Sequence, residues 1–309
     1  MSYAGPGFEP PQPPGSPRSL LRRPLAVALA VLVVSGSGGW LVWQAFADDG
    51  GDGKGRVEFS GEYVPLSPTM YPGDPATTPA APLTGKVVVV DPGHNPGNFK
   101  HTAEINRKVD IGTNSKECDT TGTATNSGYT EAEFTLDVAR RLRTVLEQQG
   151  ATVKFTQDGD RTPDRAFGPC VDERARIGNV ARADAVVSIH ADGSSAGNRG
   201  FHVILPGAVH EGDADTRPIV ASSKVLGEDI KDGFVRETGS APSNYIGDGT
   251  GLDTRTDLGG LNLSTVPKVF IECGNMRDSA DVALLTSGTW REKAAQGISE
   301  GIVSFLRGS

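Results

Sequence analysis

The chain has 309 residues and a formal net charge of −8, which leaves room for one large domain or two small ones with terminal tails. The charged residues among the first 47 positions are Glu9, Arg18, Arg22 and Arg23, which sum to +2. The remainder therefore carries −8 − 2 = −10. A domain this acidic is a poor candidate for binding nucleic acid or for adhering non-specifically to an anionic surface.

The N-terminal region combines a tail with an uncharged segment. Residues 1–23 are rich in Pro and Gly and end in the three arginines, so we expect a disordered basic N-terminus. Residues 24–47 carry no charge and are long enough for a transmembrane anchor, which takes about 20 residues. A cleavable signal peptide ending at Ala47 is the alternative, although the apolar stretch continues through Trp43. Both interpretations export the rest of the chain.

Residues 48–84 are rich in Gly, Pro, Asp and Thr and predict a linker, with a short strand near residues 57–64. We expect one domain over residues 85–309. Short apolar runs rich in β-branched residues predict strands at residues 87–90, 152–156, 185–189, 201–205 and 269–271. Apolar residues at helical spacing predict helices over 130–150, 217–237 and 289–306. This alternation predicts an α/β fold, a mostly parallel or mixed sheet with helices on both faces.

Three of the predicted strands end in residues suited to a metal site. His94 and His190 each follow such a strand, and Glu272 ends another. Because ligands bind at the carboxyl ends of strands in open α/β sheets, these three side chains should converge. A catalytic zinc usually has three protein ligands and one open position, which predicts one Zn²⁺ ion per chain.

Glu131 is our third predicted zinc ligand, with His94 and His190. It starts the helix that Thr130 and Glu133 cap through a predicted capping box. The alternative is that Glu131 only complements the helix dipole. Glu272 would be an unpaired charge at the end of an apolar strand, which is costly, so we predict a general base beside the zinc.

The cysteines and the remaining histidines complete the candidate residues. Cys118 and Cys170 lie in polar, turn-rich sequence, whereas Cys273 directly follows an apolar strand. A disulfide between Cys118 and Cys170 with a free, buried Cys273 is the simplest prediction for an exported chain. Three free thiols and a zinc–thiolate site are the alternatives. His202 alternates with apolar residues and is expected to be structural.

Four ordered motifs resemble the zinc-dependent N-acetylmuramoyl-L-alanine amidases over about residues 85–307. They are Asp91-Pro92-Gly93-His94, the Glu131 helix with Leu136 and Ala139, Ser188-Ile189-His190-Ala191-Asp192, and Ile271-Glu272-Cys273-Gly274-Asn275. The single-domain mycobacterial and actinobacterial type is indicated by Asn126-Ser127-Gly128-Tyr129, by Gly168-Pro169-Cys170-Val171-Asp172-Glu173-Arg174 and by Gly260-Leu261-Asn262-Leu263. Two features depart from the family pattern: residues 98–130 form a longer stretch than in many members, and Cys273 follows the glutamate.

The resemblance implies an exported peptidoglycan hydrolase that cleaves the amide between N-acetylmuramic acid and L-alanine. It implies zinc bound by His94, Glu131 and His190, with Glu272 as the catalytic glutamate. We expect peptidoglycan or muropeptides as the partner, a membrane contact through residues 24–47, no nucleic acid, and a monomer. Another exported zinc peptidase or carboxypeptidase acting on stem peptides is one alternative, and a non-catalytic wall-binding protein is the other.

The polar stretch 98–130 connects the region after His94 to the helix that begins at Glu131. We expect a loop or hairpin that lies over the zinc cleft. Its Gly, Asn, Ser and Thr content predicts little apolar surface to hold it in place. The predicted Cys118–Cys170 disulfide would then supply the missing restraint.

Overall fold

A computed structural model describes residues 81–161 and 165–308 of the chain. The predicted basic N-terminus, the predicted anchor, the strand near 57–64 and most of the predicted linker lie outside the described residues. Leu83, near the end of that linker, is buried, and its backbone N–H donates to the Gln149 carbonyl at 2.8 Å. Within the described ranges, no helix is both long enough and apolar enough to cross a membrane.

The described residues alternate between strands and helices in chain order. The strands are β1 Val87–Pro92, β2 Lys108–Asp110, β3 Ser115–Glu117, β4 Thr152–Phe155, β5 Ala185–Asp192, β6 His202–Pro206, β7 His210–Glu211, β8 Ala214–Asp215, β9 Leu252–Arg255 and β10 Lys268–Asn275. The helices are α1 Thr102–Ile105, α2 Glu131–Gln148, α3 Val171–Ala181, α4 Val220–Thr238, α5 Gly259–Asn262, α6 Ser279–Leu285 and α7 Gly288–Arg307.

Six strands form the main sheet in the order β4-β1-β5-β10-β6-β9. The pairs β4–β1, β1–β5, β5–β10 and β6–β9 are parallel, and only β10–β6 is antiparallel within this sheet. Connections between parallel neighbours need a crossover, which the helices supply. The prediction of a single α/β domain with a mixed sheet flanked by helices is confirmed.

The two faces of the sheet carry different cores because successive strand residues point to opposite sides. Val88 and Val90 of β1 join the large core that contains residues of α2, α4 and α7. Val89 points the other way, into a smaller cluster with Val186 and residues of α3. On β10, Cys273 lies in the large core, so Glu272 points to the α3 face.

Helix α2 is capped at its start, and helices α4 and α7 approach each other closely at glycines. The Thr130 side chain accepts from the Glu133 backbone N–H and the Glu133 carboxylate accepts from the Thr130 backbone N–H, which is the predicted capping box. Helices α4 and α7 pack together at glycines: a Cβ on Gly233 would lie 2.3 Å from the Gly297 carbonyl oxygen. A larger residue at either glycine would push these helices apart.

The stretch 98–130 is better held than its composition predicted. It contains α1 and the β2–β3 hairpin. Val109 and Ile111 are buried with Cys118 and Cys170, and Val171 packs against them. A few apolar residues spaced through this polar sequence therefore meet in a small core of their own, which adds to the restraint that the disulfide supplies.

Candidate metal centre and its cleft

The predicted site residues come together on the α3 face of the sheet. His94 follows the end of β1, His190 lies in β5 between β1 and β10, and Glu272 lies in β10. Glu272 and His190 are direct partners in the parallel register of β10 and β5. Gly93 permits the close approach of His190, since a Cβ there would lie 2.4 Å from the imidazole Cε1. The strand ends thus bring two imidazoles and a carboxylate to one place.

Three side-chain atoms could hold one metal ion. His94, Glu131 and His190 each offer one ligand atom, and these atoms all lie within 4.8 Å of one another. The Glu131 Oε1 atom is 3.3 Å from His94 Nε2 and 2.9 Å from His190 Nδ1. Ligands about 2.0–2.2 Å from a tetrahedral zinc lie roughly 3.3–3.6 Å apart, so the Glu131–His94 separation matches a zinc site, whereas the Glu131–His190 separation is that of a hydrogen bond.

Glu131 reaches the site because it is the first residue of α2. Its Oε2 atom accepts from the Thr123 backbone N–H at 2.9 Å, and Oε1 accepts from the Ala191 backbone N–H at 3.3 Å. Glu133, two residues further on, is engaged in the capping box. Glu131 and Glu133 therefore differ in role. The Glu131 side chain points to the sheet edge, whereas the Glu133 side chain caps the start of the helix.

The electrostatics of the three candidate ligands favour a cation. Burial lowers the pKa of His94, but Glu131 and Asp119 outweigh this and raise that pKa well above its usual value. Burial raises the pKa of Glu131, and the charge and hydrogen bonds of His94 and His190 overcome it, so the carboxyl titrates well below its usual range. A buried carboxylate that attracts positive charge this strongly suits a metal ligand.

Glu272 differs from Glu131 in that one of its carboxylate oxygens has no hydrogen-bond partner among the described residues. It lines the cleft beside the candidate ligands, and its buried Oε2 atom makes no hydrogen bond. Burial, together with the nearby charges of Glu131 and Asp192, raises the pKa of Glu272 well above its usual value. An unpaired buried carboxyl is costly for folding, which is a reason to look for a chemical role.

His202 occupies a position that the sequence did not indicate. His202 is buried, and in the antiparallel register of β6 and β10 it lies directly opposite Glu272. Its Nδ1 atom also lacks a hydrogen-bond partner, and burial lowers the pKa of the imidazole. The alternation of His202 with apolar residues predicted a strand, but it did not show that Glu272 lies opposite His202 on the neighbouring strand.

A cleft of about 250 Å³ opens in front of the ligands. One wall comes from the stretch 98–130, through residues 116, 117, 119 and 120. The opposite wall comes from the end of β9 and the start of α5, through residues 255 and 257–260. Lys116 and Asp257, one from each wall, lie 3.6 Å apart. The stretch 98–130 thus forms a wall of the cleft.

The cysteines are placed on both sides of the sheet. Cys118 and Cys170 form a disulfide with an S–S distance of 2.01 Å, and it joins the stretch 98–130 to the start of α3. Cys273 is a free, buried thiol in the large core, and burial raises the pKa of this thiol well above its usual value. A thiol in that state is not available as a nucleophile or a metal ligand.

Buried charges below the cleft were missed by the sequence reasoning. Asp91 and Lys268 lie 3.2 Å apart, and Arg174 lies 2.7 Å from the same aspartate. Burial raises the pKa of Asp91, but Lys268 and Arg174 hold it well below its usual range. Asp91 and Lys268 border apolar runs and Arg174 lies in α3, so no local sequence pattern indicated that the three side chains meet.

Comparison with known proteins agrees with this geometry. Residues 88–304 match the family described as N-acetylmuramoyl-L-alanine amidase. The N-acetylmuramoyl-L-alanine amidase Rv3717 of Mycobacterium tuberculosis is 39% identical over 236 residues, which cover 75% of this chain and 90% of that protein. The crystal structure of the amidase Ami1 from Mycobacterium smegmatis matches with a TM-score of 0.65 and 39% identity, covering 74% of this chain and 99% of that one. Ami1 from Mycobacterium abscessus matches with a TM-score of 0.63 and 40% identity, covering 72% and 99%. This chain therefore belongs to the N-acetylmuramoyl-L-alanine amidase family and is of the mycobacterial type.

Proposed function

We propose that this chain is a zinc-dependent peptidoglycan hydrolase that cleaves the amide bond between N-acetylmuramic acid and L-alanine. One observation carries the proposal: His94 Nε2, Glu131 Oε1 and His190 Nδ1 converge in the cleft that Glu272 also lines, and Glu272 Oε2 has no hydrogen-bond partner within the part of the chain that the structure describes. Membership of the amidase family supplies the bond that such a site would hydrolyse.

Zinc suits the donor set better than calcium or magnesium. Two imidazole nitrogens and one carboxylate oxygen are typical zinc ligands, whereas calcium and magnesium prefer six or more oxygen ligands. Three protein ligands also leave one position for water or substrate, as catalytic zinc sites do. Zinc bound here would polarise the amide carbonyl and lower the pKa of a water molecule to about 7.

Glu272 is the proposed general base and acid. Its carboxylate accepts a proton from the attacking water, and the carboxyl group then donates that proton to the leaving amine of L-alanine as the C–N bond breaks. The raised pKa of Glu272 suits a group that must hold the proton between these two steps. His94, Glu131 and His190 stay in place throughout, since each is tied to a strand end or a helix start.

We also propose the domain organisation and location. Residues 1–23 form a basic N-terminus, 24–47 an anchor or signal segment, 48–84 a linker and 85–309 the catalytic domain, which acts outside the cytoplasm as a monomer. The uncharged segment with its arginine flank supports export. Sequencing the N-terminus of the mature protein tests this: a chain that begins at Asp48 has lost a signal peptide, whereas an intact N-terminus in the membrane fraction supports the anchor.

Analysis of reaction products tests the activity itself. The full-length protein, purified in detergent and loaded with zinc, is incubated with intact muropeptides, and the new termini are identified by mass spectrometry. The proposal predicts free N-acetylmuramic acid carboxyl groups and stem peptides with a free L-alanine amine. New termini within the stem peptide would indicate a carboxypeptidase or another peptidase, and binding without cleavage would indicate a wall-binding protein.

A further inference from the structure

Arg174, in α3, is a buried guanidinium that the proposed chemistry does not use. Its nitrogens lie within hydrogen-bond distance of six oxygens: Pro169 O at 2.9 Å, Asp91 Oδ1 at 2.7 Å, Pro92 O at 2.7 Å, His94 O at 3.1 Å, Asp119 Oδ2 at 2.9 Å and Thr156 Oγ1 at 3.5 Å. The rigid, planar arginine fork fixes the positions of the groups that it contacts. Two of those groups belong to His94 and to Asp119, which faces the His94 ring.

The Asp119 carboxylate links Arg174 to the His94 imidazole. Its Oδ2 atom accepts from Arg174, whereas Oδ1 lies 3.2 Å from His94 Nδ1 and also accepts from the Thr120 backbone N–H at 2.8 Å. The Thr120 carbonyl oxygen lies 3.1 Å from the same His94 nitrogen. A carboxylate and a carbonyl can only accept, so Nδ1 carries the proton and Nε2 presents its lone pair to the metal position.

The backbone of His94 is held as firmly as its ring. His94 has φ 59°, a left-handed conformation that few residues other than glycine adopt without a cost in free energy. Its carbonyl oxygen accepts from Arg174 Nη2 and from Gln157 Nε2, the latter at 2.9 Å. One guanidinium therefore holds the His94 backbone directly and the His94 ring through Asp119.

The buried charges around Arg174 sum to zero. Stabilisation of the fold is therefore a weak explanation for the presence of this charge cluster. Asp91 and Asp119 face Arg174 and Lys268, so two negative and two positive groups are buried together. Replacing such a cluster with apolar side chains often leaves a fold equally stable or more stable, because the desolvation cost is large. What apolar side chains could not supply is a fixed carboxylate at His94 Nδ1 beside the Thr120 carbonyl oxygen.

We propose that Asp119, held in place by Arg174, is a positioning residue that orients His94 and raises the affinity of the site for zinc. The inference rests on the proposed function, because it takes His94 to be a zinc ligand. Partners that hold the second nitrogen of a ligating histidine typically change metal affinity by about 10–100-fold when they are mutated.

Asp119→Asn tests the proposal through zinc affinity. One carboxylate oxygen becomes an NH₂ group that must face a donor, either Arg174 or His94 and Thr120, so the arrangement cannot be kept. We expect the zinc Kd of the full-length protein, measured by competition with a chelator, to rise about 10–100-fold. The control is Asp281→Asn, which alters another buried carboxylate that accepts two backbone N–H groups away from the cleft. This control should keep the wild-type zinc Kd.

Melting temperatures of the metal-free proteins separate positioning from stability. A purely structural role predicts that both variants lose stability while both keep the wild-type zinc Kd, and that result overturns the proposal. If Asp119→Asn does not fold, Arg174→Lys tests the same connection. A lysine ammonium cannot form the bridging fork, so a weaker zinc Kd is expected and a wild-type zinc Kd overturns the proposal.

His94→Ala distinguishes this proposal from the ligand assignment. If His94→Ala loses zinc while Asp119→Asn keeps the wild-type zinc Kd, then His94 is a ligand and only the positioning role of Asp119 is contradicted. A wild-type zinc Kd in His94→Ala overturns the proposed zinc site itself, and the role of Asp119 with it.

Discussion

The strand ends and the stretch 98–130 both face the candidate metal ligands, but different forces hold them. His190 and Glu272 belong to strands whose neighbouring residues, such as Ile189 and Ile271, are fully buried in the large core. The stretch 98–130 is held by a small apolar cluster, a disulfide, the buried ion pair of Asp119 with Arg174 and hydrogen bonds, such as the one from the Val171 backbone N–H to the Cys118 carbonyl. The residues proposed for the chemistry therefore stand mainly on the sheet, whereas one cleft wall is held by a small apolar cluster, a covalent bond and charge.

The largest effect should come from removing a ligand on the sheet. We expect His190→Ala to lose stoichiometric zinc and measurable hydrolysis, because two remaining protein ligands hold zinc poorly. The control His210→Ala removes an imidazole whose side chain is 63% exposed and which pairs with Asp215. It should keep one zinc per chain in elemental analysis. Full zinc occupancy in His190→Ala would break the assignment of the strand ends as the metal site.

Removing the disulfide should affect the wall and spare the ligands. Cys118 and Cys170 are 52 residues apart in sequence, and closing such a loop stabilises a fold by up to about 4 kcal/mol. We expect Cys118→Ser to melt at a lower temperature while it still binds one zinc. A reductant should lower the melting temperature of the wild type and not that of the variant. An unchanged melting temperature, or loss of zinc, would contradict this division of roles.

Acid should weaken the charge-based restraint of the wall. Burial raises the pKa of Asp119, but Arg174 and His94 outweigh it and lower the pKa from 3.8 to about 2. Because the folded-state pKa is the lower one, ionised Asp119 stabilises the fold above about pH 4, and this contribution is lost as the pH falls toward about 2. It amounts to about 2 kcal/mol.

Urea unfolding of the metal-free protein measures this pH effect. The difference in unfolding free energy between the wild type and Asp119→Asn should be largest near about pH 5 and should shrink as the pH falls toward about 2. A difference that does not change over this range would show that the ion pair of Asp119 does not restrain the wall.

The contrast between the strand ends and the stretch 98–130 also explains which residues could be predicted from the sequence. His94, His190 and Glu272 follow or end short apolar runs, and parallel strands bring their carboxyl ends to one edge, so the sequence indicated their convergence. The start of α2 could also be predicted from the sequence, because a capping box is a local pattern. Local sequence patterns and the general geometry of parallel strands were sufficient for these residues.

The buried charges and the wall could not be predicted in this way. Arg174 contacts residues 83 and 55 positions away in sequence, Asp91 and Asp119, and a charged residue in a helix is ordinarily expected to face solvent. His202 lies opposite Glu272 only because β6 runs antiparallel to β10, and alternation does not reveal register. Contacts of this kind depend on the assembled fold.

Glu272→Gln tests the proposed role of Glu272, which is to carry the proton beside a zinc ion held by His94, Glu131 and His190. The glutamine amide cannot accept the proton of water, so turnover of muropeptides should fall by about 10²–10⁴-fold. Zinc content and melting temperature should stay close to the wild type, and Glu211→Gln on β7 serves as an exposed control. We expect a folded, zinc-loaded and nearly inactive Glu272→Gln variant. Near wild-type turnover in that variant would show that Glu272 is not the proton carrier.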